Sequence, residues 1–517
     1  TESIRSMSTT FNADALETPD SGPAELAAPT QPASLRRAAV RGGVIVLGSR
    51  LIIQLFSWAV TIIVARILVP YDYGIVSAAS IFFNMADILA EAGVGRALVQ
   101  KAHLNADDLA EGFTLSLAIS LAIYAAIVVI APAAAMFVRT PELVSVLPVV
   151  GIALILTPFR AIPLAILERR LEMGRLSAVG LFSTLVQGVL VLSLAFGGFG
   201  FWALLVGSMI PRLVDAFVLV WQAAWLPRLR WPGGWSSPLV TFGLNVSGAK
   251  LCSVVFRNAD YAIVGRLLGP VALGYYTFAF MLVSLPMDKI VGTCNQITYP
   301  IFCRLGNDRQ RIRDWYLRLS VMFGSVGTPA LVGLALVAND AIPLVLGEKW
   351  RPAVLPLQIM SLAGVFMMIA GSIDVLYNAL GRPDINLRFT LISVVVYPVL
   401  FYLSGRTWGL AGVALVWAIV SPIMVLRLVG CSYSITGFGV RDLLKALIPI
   451  WMSAMVMSLP VLACQWFMHG SGRVALSVVV AIVVGVISYT VAIRVFAWKS
   501  VMGNLTLLWR ELRAHEH

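Results

Sequence analysis

Apolar runs long enough to cross about 30 Å of hydrocarbon recur from residue 43 almost to the last residue, with short polar interruptions. They predict helical spans near 43–65, 73–95, 113–137, 143–166, 176–197, 200–223, 238–265, 273–302, 316–346, 353–380, 385–404, 409–433, 445–468 and 474–497. That is about fourteen helices, with ends placed to within a few residues. The connections are short, so no soluble domain is expected between them. Residues 1–35 differ: rich in Ala, Pro, Ser and Thr with scattered acids, they read as a disordered tail. No basic n-region or cleavage site precedes the first span, so that span is expected to be retained.

The pattern repeats. Residues 43–74 and 243–274 align without a gap at an offset of 200. Gly43, Val46, Gly48, Leu51, Ile63, Val64, Arg66, Leu68, Pro70 and Gly74 recur as Gly243, Val246, Gly248, Leu251, Ile263, Val264, Arg266, Leu268, Pro270 and Gly274. About ten identities in about thirty-two positions exceed the three or four that apolar composition alone would give. Arg50 is answered by Lys250, a basic residue inside an apolar run both times. In a membrane chain such a duplication predicts a two-lobed carrier with its substrate site between the repeats.

Composition agrees. Of 517 residues 59% are hydrophobic and 12% charged, with a mean hydropathy of +0.88, whereas a soluble domain carries about a quarter of its residues charged. With the N-terminus inside, about twenty-two Lys and Arg fall on the cytoplasmic side and about seven opposite. The seven are Arg66, Arg139, Arg266, Lys349, Arg351, Arg406 and Arg473. This bias predicts a multi-pass membrane protein with both termini cytoplasmic. The net charge of +12 is then mostly topology and contact with anionic phospholipid headgroups. The basic residues are spread over many loops, so no nucleic-acid partner is expected.

Catalysis is not expected either. The chain has no HExxH, no Walker A loop, no nucleophile elbow and no Asp-x-Asp motif. Its four histidines (His103, His469, His515 and His517) all fall outside the predicted spans, so no metal site and no cofactor are anticipated. Cys252, Cys294, Cys303, Cys431 and Cys464 show no CxxC spacing and read as buried free thiols.

What remains is a set of ionisable residues inside spans. Arg50, Arg160, Arg212, Lys250, Arg257, Lys289, Arg427 and Arg494 are basic, and Asp87, Glu91, Asp215, Asp260, Asp288 and Asp374 acidic. Each costs about 2.5–3.5 kcal/mol at a helix centre, so each needs a partner or a wet cavity. Arg212 with Asp215, and Arg257 with Asp260, are spaced to pair on one helical face. Arg427 and Arg494 lie near helix ends and are expected to snorkel. Arg66 and Arg266 close their helices ahead of Pro70 and Pro270, which suggests a structural role. Arg50 and Lys250 have no acid three or four residues away, and Arg257 shares a face with Lys250. Either they snorkel to the interface, or Arg50, Lys250 and Arg257 form a cationic patch for a buried phosphate-bearing anion. Asp87, Glu91, Asp260 and Asp374 are coupling or structural acids. Prolines inside the spans favour kinked helices.

The stretch Ala65-Arg66-Ile67-Leu68-Val69-Pro70-Tyr71-Asp72-Tyr73-Gly74, followed by Glu91-Ala92-Gly93-Val94-Gly95-Arg96-Ala97-Leu98-Val99-Gln100, closely resembles the first two helices of bacterial polysaccharide transporters. These are the Wzx-like flippases of the multidrug/oligosaccharidyl-lipid/polysaccharide superfamily. Further resemblance lies in Arg266 to Pro270, Gly274-Tyr275-Tyr276, Tyr299 to Phe302, Leu346-Gly347-Glu348-Lys349-Trp350 and Ala379 to Pro383. Together they cover about residues 38 to 500 and point to the exopolysaccharide branch. The resemblance implies an all-α membrane protein with two pseudo-symmetric six-helix lobes and an extra C-terminal helix pair. On this division 1–38 is a tail, 39–224 the N-lobe, 225–237 a linker, 238–440 the C-lobe, 441–498 the extra pair and 499–517 a second tail. It also implies alternating-access transfer of an undecaprenyl-diphosphate-linked oligosaccharide to the outer leaflet, with a polysaccharide polymerase and export proteins as partners. Arg50, Lys250 and Arg257 come from the residue pattern and match no family motif. A lipid II flippase and a MATE-type multidrug antiporter are the alternatives, the second disfavoured by a first helix without an acid.

Overall fold

The computed structural model describes residues 53–91, 98, 105–170, 172–231, 238–305, 308–468, 473–498 and 501–503, with the backbone alone at 173, 238–253, 290–291, 293–297, 300 and 434. The described residues from Leu55 onward form one compact unit. Its helices are α1 (Ile53–Ile67), α2 (Pro70–Glu91), α3 (Ala106–Val138), α4 (Leu143–Ile155), α5 (Thr157–Arg169), α6 (Met173–Phe196) and α7 (Phe201–Ala223). They continue as α8 (Pro238–Leu305), α9 (Arg309–Leu346), α10 (Val354–Ala379), α11 (Pro383–Thr436), α12 (Val440–Met468) and α13 (Val474–Phe496).

Local chemistry sets the ends. Pro70 opens α2, where its missing N–H costs nothing, and the Asp72 carboxylate accepts from the Val69 N–H at 2.9 Å. Asp108 accepts from the Asn105 N–H at 3.1 Å at the start of α3, and Asp308 from the Arg311 N–H at 3.1 Å at the start of α9. Gly437, at φ 75°, ends α11 in the left-handed region.

Two of these helices are pairs. At Gly269 (φ 82°, ψ 179°) the chain leaves helical geometry inside α8, and at Gly409 (φ 60°, ψ −140°) inside α11. The predicted spans 238–265 and 273–302 are thus the two arms of α8, and 385–404 and 409–433 the two arms of α11. Conversely, the single span predicted over 143–166 is two helices, interrupted at Leu156 just ahead of Pro158. Among the described residues eleven helices are long and apolar enough to cross a membrane, and Ile53–Ile67 is a shorter apolar helix. Counting both arms of α8 and α11 separately, and adding α1, recovers the fourteen crossings read from the sequence.

The cores show how the crossings are grouped. One core draws on both halves of the chain: Ala65, Tyr73, Val138 and Leu147 meet Val264, Leu273, Phe278 and Trp350. Beyond it the halves have separate cores. Phe113, Ile162, Leu167 and Leu219 form that of α3, α5 and α7, while Phe302, Tyr316, Tyr377, Val429 and Leu443 form that of α8 to α12. Two six-crossing lobes are therefore joined at the Pro70/Pro270 end and part towards the other. The last two helices attach to the second lobe through α9. Tyr489 donates to the Ser325 carbonyl at 2.8 Å, Gln465 to that of Leu336 at 3.1 Å, and Arg313 pairs with Asp442 at 2.9 Å.

Candidate functional site

The repeated residues Pro70, Gly74, Pro270 and Gly274 meet where the lobes join. A Cβ at Gly74 would stand 1.8 Å from the Pro270 carbonyl oxygen, and one at Gly274 1.8 Å from that of Pro70. Only glycine permits that approach. Trp350, fully buried, fills the space beside it, 4.4 Å from the Phe278 ring and 5.3 Å from Tyr73, and its indole N–H donates to the Ala65 carbonyl at 2.9 Å.

Arg66 and Arg266 close their helices as expected, and each also reaches into the opposite lobe. The Arg66 guanidinium donates to the carbonyls of Leu344 and Val345 at 2.6 Å each, in the last turn of α9. That of Arg266 donates to Met136 and Phe137 at 3.0 Å each, in the last turn of α3, and lies 5.5 Å from the Phe137 ring centre. Lys349 answers Arg66: its ammonium donates to the carbonyls of Arg66 at 2.6 Å and Leu68 at 2.7 Å. Last-turn carbonyls have no partner within their own helix and carry the negative end of its dipole, so cations suit them. Sequence reasoning found the arginines through the repeat. It missed the acceptors, because nothing local encodes which helix end lies opposite.

The ionisable candidates inside the spans fall in several different surroundings. Arg50 is outside the described residues, and Lys250 lies on α8 with its side chain undescribed. Arg257, on the first arm of α8, is exposed and does not pair with Asp260. Asp374 on α10 stands within electrostatic reach of its guanidinium. Asp260 is 1% exposed and is held by neutral donors, the Tyr276 hydroxyl at 2.7 Å and the Tyr261 N–H at 2.9 Å. Trp417 donates in turn to the Tyr276 oxygen at 2.9 Å. The expected Arg212–Asp215 pair is also replaced. Arg212 reaches from α7 to Asp87 on α2 at 3.6 Å, over the Phe83 ring at 4.6 Å, with the Thr157 hydroxyl 3.4 Å from the same carboxylate. Asp215 instead accepts from Ser183 on α6. Residues three apart are close enough to pair, but a long guanidinium follows the acid its helix faces. Glu91 is half-buried at the end of α2.

Cys303 and Cys431 are exposed rather than buried, and Cys464 is half-buried; the Cys303 thiol lies 3.8 Å from the Ala379 carbonyl oxygen. The side chains of Cys252 and Cys294, and all four histidines, are outside the described residues. Among the described residues no group of His, Cys, Asp and Glu could hold a metal ion.

Twelve apolar crossings in two repeat-related lobes joined at one end, with two more attached to the second lobe, define a membrane transporter. The chain belongs to the polysaccharide biosynthesis protein family, whose model matches residues 63–355. It is similar to the lipopolysaccharide biosynthesis protein WzxC of Escherichia coli (strain K12), 21% identical over 72% of this chain and 77% of that one. It is also similar to the succinoglycan biosynthesis transport protein ExoT of Rhizobium meliloti (strain 1021), 23% identical over 83% and 87%. In fold it matches the lipid II flippase MurJ in an inward closed conformation (TM-score 0.69, 16% identity, 86% of this chain and 98% of that one). A MATE family transporter of the MOP superfamily in an inward-facing conformation also matches (TM-score 0.57, 15% identity, 77% and 95%). The expected Wzx-like transporter with the superfamily's fold is borne out.

Proposed function

We propose that this protein moves an undecaprenyl-diphosphate-linked oligosaccharide from the cytoplasmic to the outer leaflet for exopolysaccharide biosynthesis, by alternating access and without catalysis. The observation that carries this reading is the division of the core, one shared core where the lobes join and one core for each lobe where they part. A headgroup can enter between the parted ends, and rocking about the joined region would present it to the other side. Family membership and relatives named for lipopolysaccharide and succinoglycan production support the substrate class. A polysaccharide polymerase and export proteins would then receive the product. The Lys/Arg asymmetry favours both termini in the cytoplasm, which puts the joined Pro70/Pro270 end outside. The functional division follows as before, with lobes at 39–224 and 238–440, the extra pair at 441–498, and terminal segments 1–38 and 499–517 flanking them.

Within this reading Arg50, Lys250 and Arg257 hold the diphosphate through charge-assisted hydrogen bonds. The exposure of Arg257 beside Asp374 supports its part in this, since an acid nearby keeps a cation poised while an anion is absent. The test is flipping of a fluorescent lipid-linked oligosaccharide in proteoliposomes. Wild-type protein should flip it, and the Arg50→Ala/Lys250→Ala variant should lose at least about tenfold in rate, the effect of one strong charge-assisted contact, with Arg50→Lys retaining more. No flipping by correctly inserted wild-type protein would overturn the function. Normal flipping by the double variant would overturn the site alone.

A further inference from the structure

Three of the seven basic residues that run against the positive-inside bias are Arg66, Arg266 and Lys349, and all three cross the seam between the lobes. Basic residues on the translocated side oppose insertion, so their presence there calls for a reason. Each bond they make ends on a main-chain carbonyl at or just beyond the end of a helix in the opposite lobe, never on a carboxylate. The two arginines occupy repeat-equivalent positions, so one bridge stands on either side of the Gly74–Gly274 approach. Both guanidiniums are at the exposed rim of the seam, where water or a lipid headgroup can take over the carbonyl's role.

We propose that Arg66 and Arg266 are a paired latch: they hold the outer end shut while the inner end is open, and release of both bridges is the step that opens the outer side. A carbonyl partner suits that task. A guanidinium bonded to a helix end holds the rim shut but exchanges with water without leaving a buried anion behind, as breaking a buried ion pair would. The two bridges are unequal. The Arg66 side is reinforced by Lys349 and by the Trp350 indole on α1, whereas Arg266 is helped by the Phe137 ring alone. The α3–α8 side therefore parts first. The word "outer" rests on the orientation given under the proposed function; the latch itself does not.

The test places spin labels at Val69 and Val271, which flank the seam and are 46% and 43% exposed, in full-length protein with its cysteines replaced by serine, in proteoliposomes. Pulsed dipolar spectroscopy should find mainly a short distance in the parent. Arg66→Gln/Arg266→Gln should raise a discrete longer-distance population relative to the short one by about tenfold or more. Arg266→Gln alone should raise it more than Arg66→Gln, and Arg66→Lys should restore most of the closed state. An unchanged distribution, or featureless broadening without a second population, overturns the latch. Should the double variant fail to accumulate, Lys349→Met reads the same bridge from its other end, with the same two outcomes. A membrane-impermeant thiol reagent on Val69→Cys, applied to whole cells, separates the orientation. Labelling only after the membrane is opened would move the latch to the cytoplasmic side and leave the spectroscopic result standing.

Discussion

Asp87 and Arg212 illustrate how a charge is tolerated at membrane depth. Neither has a partner on its own helix; they find each other from α2 and α7, with Phe83 and Thr157 completing the surroundings. Both side chains keep about a third of their surface accessible, 32% and 34%, so the pair is partly solvated and its coupling moderate. In a double-mutant cycle with Asp87→Asn and Arg212→Gln, thermal unfolding in detergent should show a coupling of about 0.5–1 kcal/mol. Each single change should cost more than the pair energy, because it strands the other charge. Strict additivity would mean that the two groups do not interact. This cluster was not legible beforehand, although its members were. The expensive residues are visible in any hydropathy profile, but the direction each side chain takes depends on which helices become neighbours.

At the scale of the element, hydropathy located nearly every crossing because lipid imposes a local rule: a span must be long and apolar wherever it lies. Where helices bend was less legible. The break at Leu156 falls inside one continuous apolar run, with Pro158 as its only local mark. The duplication was seen at its best-kept stretch and lost elsewhere. Gly200, between α6 and α7, has φ 55° and ψ −134°, and Gly409, between the arms of α11, has φ 60° and ψ −140°. They hold the same turn in the two lobes, yet the offset has grown from 200 to 209 and few neighbours match, so alignment passes over it. That backbone region is open essentially to glycine alone. Nothing lies within 4 Å of a Cβ built at Gly409, so the cost of Gly409→Ala should be conformational and not steric, about 1–3 kcal/mol. Thermal unfolding in detergent checks it. A neutral Gly409→Ala would show that the turn relaxes.

For the whole molecule, the division of cores and the duplicated seam together describe two bodies that share one contact region and carry an attached pair, α12 and α13, on the second. Orientation in the membrane is checked by reporter fusions. A periplasm-active reporter at Lys349 and a cytoplasm-active one at Arg311 should both give signal. These positions lie at opposite ends of α9, and signal on the same side from both would break the two-lobe arrangement. The shared core and the asymmetry of Lys and Arg were legible only as a repeat and a count. That Arg66 and Arg266 exchange partners across the lobes needed the fold, because the acceptors are main-chain atoms that every residue possesses.

The seam has one more consequence. Pro70 meets Gly274 while Pro270 meets Gly74, and Arg66 reaches the helix that ends at Leu346 while Arg266 reaches the one that ends at Val138. Reciprocal contact of this kind, i on j and j on i, is the mark of an isologous interface, the contact by which two identical subunits pair about a two-fold axis. With six crossings in each lobe, both lobes begin and end on the same side, as two separately inserted subunits would. The seam is built like the interface of a homodimer whose subunits were later joined in one polypeptide. Cutting the chain within 232–237 and producing the two pieces together should therefore give halves that find each other in the membrane and co-purify through a tag on one. Gly274→Leu should abolish that association. Halves that insert but never associate would mean that the covalent link, and not the interface, holds the lobes together.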